Sequence, residues 1–314
     1  MITIEQYNPC NKKQWDSAVK QSRNGTFLHL RDYMGYHSDR FNDCSLVARD
    51  DDRILAILPA CFESDTLYSH RGLTYGGWLV PSRHFDVTTM LMVWEKAVAF
   101  LHEMGIFNIV YKPVPHIYHR YPCEEDLFAV FRAGGKLVES NISSTIDLDE
   151  PLPLDRGNKR NVNHAIRNGV AVGESCDWQG YWQMLDSLLM AKYDKHPVHS
   201  LDEMLLLQSR FPENIKLFTA NLDGELLAGV LMYFCGSEVA HCQYIASTER
   251  GRDLKALTLL FDHLIKASAQ AGFRYFDFGI STEQGGKYLN HGLVQQKCRL
   301  GGRGIVYNTY MINI

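Results

Sequence analysis

No apolar run in this 314-residue sequence is long enough to cross a bilayer, no Cys-x-x-Cys pair occurs, and His-Glu-x-x-His is missing. The first absence excludes a helical membrane span. The other two remove the usual zinc-ribbon and metalloprotease patterns. Charge of one sign is also scarce: 32 Lys and Arg stand against 36 Asp and Glu, a formal net charge of −4. A chain so balanced has no general attraction for DNA or anionic lipid, and any polyanion would need a local basic patch. Eight cysteines, at 10, 44, 61, 123, 176, 235, 242 and 298, are scattered without a short framework. They read as reduced thiols in a cytoplasmic protein. The opening residues MITIE read as a strand, with no basic region followed by an apolar one, so no signal peptide is expected.

What is present suits a soluble globular chain of two domains: 46% hydrophobic residues and 22% charged. Asp277-Phe278-Gly279 is the triplet that holds Mg²⁺ in protein kinases. Its surroundings are wrong for one. His29-Leu30-Arg31-Asp32 lies far upstream without the following asparagine, no Gly-rich loop opens the chain, and no Ala-Pro-Glu follows the triplet. Two histidine pairs, His116 with His119 and His196 with His199 beside Asp194, are spaced by three in loops, and no metal is expected there. No Ser/His/Asp or Cys/His motif marks an enzyme nucleophile.

The chain repeats itself. VARDDDRILAILP, residues 47–59, and TANLDGELLAGVL, residues 219–231, each read as a hairpin closed by an acidic or glycine turn. MVWEKAVAFLHEMGIFNIVY begins at Met92 and LLFDHLIKASAQAGFRYFDF at Leu259, an offset of 167, and each reads as amphipathic helix, glycine and buried strand. Gly105 and Gly272 fall where a helix ends in a left-handed residue. A further strand precedes each helix, over 67–72 and 239–246. Between the copies, residues 147–155 (DLDEPLPLD) read as an acidic, proline-bearing linker, followed by a basic helix to about Asn168 that Gly169 ends. Asp177 caps a helix through Trp178, Trp182 and Leu185, and Ser200-Leu-Asp-Glu203 is a capping box.

Hairpin, strand, helix, strand resembles the central order of the GCN5-related N-acetyltransferase (GNAT) fold, and its repetition resembles the Fem-type transferases. The letters that carry the likeness are Gln243-Tyr-Ile-Ala-Ser247, the following helix, Gly272-Phe-Arg-Tyr-Phe-Asp-Phe-Gly279, Gln296-Lys-Cys-Arg-Leu-Gly-Gly302 and the basic stretch from Lys159 to Val170. The resemblance spans nearly the whole chain and implies an α/β fold with a mixed sheet, in two tandem GNAT-like domains. Residues 1–149 would form a scaffold or acceptor-binding copy and residues 150–314 the copy with donor site and chemistry, its last strand able to pack on the first domain. Two features depart from the pattern. The pyrophosphate loop is reduced to Arg250-Gly251-Arg252-Asp253, and the helical-hairpin insertion of Fem enzymes that use aminoacyl-tRNA is missing.

The implied reaction is direct acyl transfer to an amine in a ternary complex, which needs no enzyme nucleophile. The implied donor is acetyl-CoA or another acyl-CoA, without a metal, and the acceptor a small or nucleotide-linked amine. A Fem-like transferase using charged tRNA on a peptidoglycan precursor is the rival, and a tandem-GNAT binding protein without chemistry is a reading of another class. By resemblance Lys297 neutralises developing charge, Tyr288 protonates the leaving thiolate, and Asp277 or Glu283 takes the amine proton. Ile245, Ala246, Arg250, Gly251, Arg252 and Lys255 would hold the donor. Arg160, Arg167 and Arg299 offer guanidinium groups to a phosphate. Tyr193, His196 and His199 gather aromatic and imidazole groups for an acceptor.

Overall fold

The computed structural model describes residues 1–81 and 84–314. Contacts divide the chain into two compact units, one of residues 1–142, 282–289 and 306–314, the other of residues 143–281 and 290–305.

The first unit contains the antiparallel strands Ile2–Gln6, Leu46–Asp50 and Arg53–Leu58, the last two joined through Asp51 in the left-handed region. The short strands Asn42–Asp43, Cys61–Glu63 and Thr66–Tyr68 continue to Asn108–Tyr111, which lies parallel to Thr66–Tyr68 and antiparallel to Tyr310–Asn313. The strand expected over 67–72 stops at Tyr68. There His70 turns left-handed, at φ 56°, and its N–H donates back to the Tyr68 carbonyl. The helix Val87–Glu103 starts where the Asp86 carboxylate accepts from the Thr89 N–H. Its Met90, Val93, Trp94, Ala97 and Leu101 recur at helical spacing and are buried. It ends at Gly105, whose φ of +76° no side-chain-bearing residue adopts cheaply. In the core beneath it, the Tyr111 hydroxyl donates to Asp126 at 2.6 Å and accepts from the Trp78 N–H at 2.8 Å.

The second unit is built on one mixed sheet, in the order 143–147 (the end of the strand Lys136–Asp147), Tyr275–Ile280, Val239–Ser247, Glu225–Cys235, Ile215–Leu222 and Ala171–Glu174. Every neighbour pair is antiparallel except Val239–Ser247 with Tyr275–Ile280, which is parallel. The central hairpin forms because Asp223 and Gly224 both take positive φ, the geometry of a two-residue turn that matches strand twist.

One sheet face is covered by the helix Ala256–Gln270, whose Leu259, Leu260, Phe261 and Leu264 join Ala240, Cys242, Phe276 and Phe278 in one apolar core. The Phe261 and Phe278 rings meet edge-on at 5.2 Å. The other face carries the helix Trp178–Tyr193, capped by Asp177, and the helix Leu201–Arg210, started by the Ser200–Glu203 capping box. Here Gly229 is needed, since a Cβ at that position would strike the Tyr181 ring. The basic helix Arg156–Arg167, capped by Asp155, packs on Ala256–Gln270.

Candidate active site

Alternation along a strand puts neighbours on opposite faces. With Phe276 and Phe278 committed to the apolar core, Asp277 must face the other way, and it does so wholly buried. Its Oδ1 accepts from the Ser143 hydroxyl at 2.6 Å and the Thr145 hydroxyl at 2.8 Å, while its Oδ2 lies 2.7 Å from His241 Nδ1. Burial acts to raise the pKa of this carboxyl. Its interaction with His241, together with the hydrogen bonds from the two hydroxyls, outweighs it and holds the group below its ordinary value.

His241 and Asp277 also form the last rung between their strands. Only Val239, Ala240 and His241 pair with Tyr275, Phe276 and Asp277. Beyond that rung one strand continues to Ser247 and the other to Ile280, with no further rung between them among the described residues. The parallel ladder therefore ends at that rung, and backbone groups past it that no neighbouring strand pairs can bind an extended polar chain. Gly279, at φ +76°, interrupts the regular strand between Asp277 and Ile280. Half-buried Gln243, Tyr244 and Ile245 and buried Ala246 lie on the other strand past the rung. On the same side as His241, the Tyr244 hydroxyl sits 2.7 Å from Nδ1 of buried His199, and the Trp182 ring meets Tyr244 edge-on. Burial pushes the Tyr244 phenol up to about 12.

Lys297 is tied to the end of the strand Tyr275–Ile280. It lies in the last turn of the helix His291–Arg299, is buried, and donates Nζ to the carbonyl oxygens of Gly279 at 2.7 Å and Ile280 at 2.9 Å. Burial lowers its pKa to about 8, against the opposing pull of Asp277 and Cys242.

A cavity of about 300 Å³ lies where the helices Glu249–Asp253, Ala256–Gln270, His291–Arg299 and Arg156–Arg167 come together. Arg252, Lys255 and Arg299 line it with Asn158, Asn161 and Gln296, and among the described residues no acidic side chain does. Leu257 and Thr258 bring the N-terminal end of a 15-residue helix to it. Cations and a helix start without a counter-charge make this a place for an anion.

The residues expected to bind substrates therefore part company. Gly251, Arg252, Lys255 and Arg299 share the cavity, whereas Arg250 turns to Glu225 in an exposed ion pair. Arg160 and Arg167 are exposed on their helix, whose Asn158 and Asn161 reach the cavity instead. His199 binds Tyr244, but His196 is exposed and pairs with Asp186 at 2.6 Å, and Tyr193 is exposed beside Lys192. Glu283 and Tyr288 face each other as an exposed strand pair of the first unit. His119 bonds the Val114 carbonyl, and among the described residues no three His, Cys, Asp or Glu side chains gather as a metal site. No described helix is long and apolar enough to cross a membrane.

Sequence reasoning missed His241, Ser143 and Thr145. A lone histidine in a strand reads as packing, and the hydroxyl pair belongs to a strand the periodicity did not reveal. The alternation Ser143, Thr145 before the linker was the available signal.

A GNAT-fold unit with a short parallel ladder and a cationic cavity is what these features define. Residues 177–288 match the family model described as an acetyltransferase (GNAT) domain. The chain as a whole has the tandem GNAT fold. Among solved structures it is similar to one described as FemX, with a TM-score of 0.69 and 14% identity over 99% of this chain and 97% of that one. It is similar to the C-terminal domain of a putative lysylphosphatidylglycerol synthetase from Agrobacterium fabrum, with a TM-score of 0.63 and 11% identity over 98% and 92%. A tandem GNAT protein from the clavulanic acid biosynthesis pathway gives a TM-score of 0.53 and 12% identity over 100% and 98%. No curated protein matches the sequence. At these identities the structural likeness establishes the fold.

Proposed function

We propose that this protein is an N-acyltransferase that takes an acyl group from acyl-CoA, acetyl-CoA foremost, and passes it directly to the amine of a small or nucleotide-linked acceptor. The observation that carries the reading is the cationic cavity of Arg252, Lys255 and Arg299 at a helix start, in the same unit as the parallel ladder that ends at the His241–Asp277 rung. The donor's phosphates occupy the cavity, its extended amide arm lies along the strands past that rung, and the thioester reaches the end of Tyr275–Ile280. Lys297, charged at neutral pH, stabilises the oxyanion that develops on the thioester carbonyl.

Thermal denaturation with acetyl-CoA tests the donor. At about a hundred times its dissociation constant a ligand adds about 2.7 kcal/mol of stability. The shift is expected to shrink when Arg252 and Arg299 are both changed to Ala. The fold likeness to FemX favours a second reading, transfer from aminoacyl-tRNA to a peptidoglycan precursor. Under that reading acetyl-CoA produces no shift, and tRNA binds with an affinity that falls steeply with salt. Silence toward both would make the chain a binding protein without chemistry.

A further inference from the structure

A direct transfer leaves one proton to be placed: the attacking amine must lose it as the new bond forms. We infer that His241 is the general base that receives this proton, and that Asp277 is its positioning residue. The inference rests on the acyl-transfer reading above.

Tautomer chemistry carries the first step. Ser143 and Thr145 both donate to Asp277 Oδ1, and a carboxylate accepting two hydroxyl protons is the ionised, acceptor-only form. The 2.7 Å contact between its Oδ2 and His241 Nδ1 then requires the proton on Nδ1. In the neutral ring that leaves the lone pair on Nε2.

Placement carries the second step. His241 stands on the last rung of the parallel ladder, so its ring is beside the strand ends at which the thioester would lie. Its neighbours there are identifiable. Tyr233 pairs with it from the adjacent strand, Tyr244 with His199 lies on the same face one step further along, and Lys297 anchors the opposite strand end. None of these is a carboxylate, and Asp277 meets the ring on its Nδ1 side.

Cost carries the third. Four polar side chains, Ser143, Thr145, His241 and Asp277, are buried together, and Asp277 has no exposed surface. Keeping a carboxylate there is expensive unless it is fully bonded, and a sheet held by its backbone ladder does not need it.

The transfer balances as follows. The amine lone pair forms the C–N bond, the C–S electron pair leaves with sulfur as the CoA thiolate, and the amine proton moves to His241 Nε2. The imidazolium is stabilised by Asp277, and release of that proton to solvent resets the site.

Two measurements on the full chain test this. With acetyl-CoA as donor and glycinamide as a surrogate amine, H241Q is expected to lower turnover by about 10²- to 10⁴-fold. Its acetyl-CoA binding and thermal midpoint should stay near wild type. D277N should lower kcat with little change in the KM for acetyl-CoA, and D277E should partly restore it, which a purely structural acid would not do. Turnover of H241Q equal to wild type overturns the assignment. The second measurement does not depend on turnover. Nitrogen–proton spectra of the histidine rings should show that the neutral form of His241 carries its proton on Nδ1. A neutral ring protonated on Nε2 overturns the assignment even if no transfer is detected. Absence of transfer by the wild-type chain with the expected ring state would instead count against the acyl-CoA reading.

Discussion

Lys297 Nζ lies 2.7 Å from the carbonyl oxygen of Gly279 and donates to it, so a buried ammonium is tied to the strand end that Gly279 bends. The same nitrogen donates to Ile280 at 2.9 Å. A lysine whose pKa falls from 10.5 to about 8 on folding holds fewer protons folded than unfolded between those values. Its contribution to stability therefore rises with pH across that window, while at neutral pH both states are charged and the folded one bears the burial cost.

Lys297→Met follows from this balance. The change removes the burial cost of the charge but leaves two carbonyl groups without a donor, about 1–3 kcal/mol. The terms oppose each other, and the thermal midpoint at neutral pH is expected to move by only about 4 °C. Acyl transfer should fall by about 10²- to 10³-fold, the loss expected for one oxyanion-stabilising group. In the wild type, activity should decline as pH rises through about 8, where Lys297 loses its charge. Undiminished transfer by the Met variant would remove Lys297 from the mechanism.

Asp126 makes a separate prediction in the first unit. Burial raises its pKa from 3.8 to about 6, opposed by the hydrogen bond from Tyr111. Between those values the folded chain keeps a proton that the unfolded chain has released. The stability this provides is complete below 3.8 and is lost as pH rises through about 6, about 3 kcal/mol for a shift of this size. Asp126→Asn keeps an acceptor for Tyr111 and never ionises. The stability difference between variant and wild type, followed by denaturant titration across that window, should grow in the variant's favour as pH rises. A pH-independent difference would contradict it.

Much of the second unit was legible because its signals are local. Asp223-Gly224 specifies a tight turn, Asp177 and Ser200 specify helix starts, and Gly105 and Gly272 mark equivalent helix ends, at φ +76° and +84°. The partners of Asp277 were not legible, for the opposite reason. Ser143 and Thr145 lie 134 and 132 residues away in sequence, and His241 is 36 residues away, so only the sheet order brings them together. The repeat pointed to Asp277 as a polar letter standing opposite Val110 in the first copy, and the burial of that acid supplied its reason. Exposure could not be read either: Arg250, Arg252 and Arg299 look alike in the sequence, yet Glu225 draws only Arg250 away from the cavity.

Gly251 shows how closely that cavity depends on packing. Its N–H donates to the Thr248 hydroxyl at 3.0 Å, which leaves this amide turned toward its own helix cap. A Cβ on Gly251 would strike the Leu227 carbonyl carbon and oxygen and the Ser247 hydroxyl, of which only the hydroxyl belongs to a side chain that can rotate away. The glycine thus lets the helix Glu249–Asp253 lie directly on the strand Glu225–Cys235. Gly251→Ala is expected to push that helix outward, at a cost of about 1–3 kcal/mol for overpacking. Arg252 would move with it, since its guanidinium is held by the Ser247 carbonyl at 3.1 Å. The variant should therefore lose both thermal stability and acetyl-CoA affinity, whereas Arg252→Ala should lose affinity with little change in stability. A Gly251→Ala protein that melts like wild type and binds acetyl-CoA equally well would show that the close helix–strand contact does not shape the donor site.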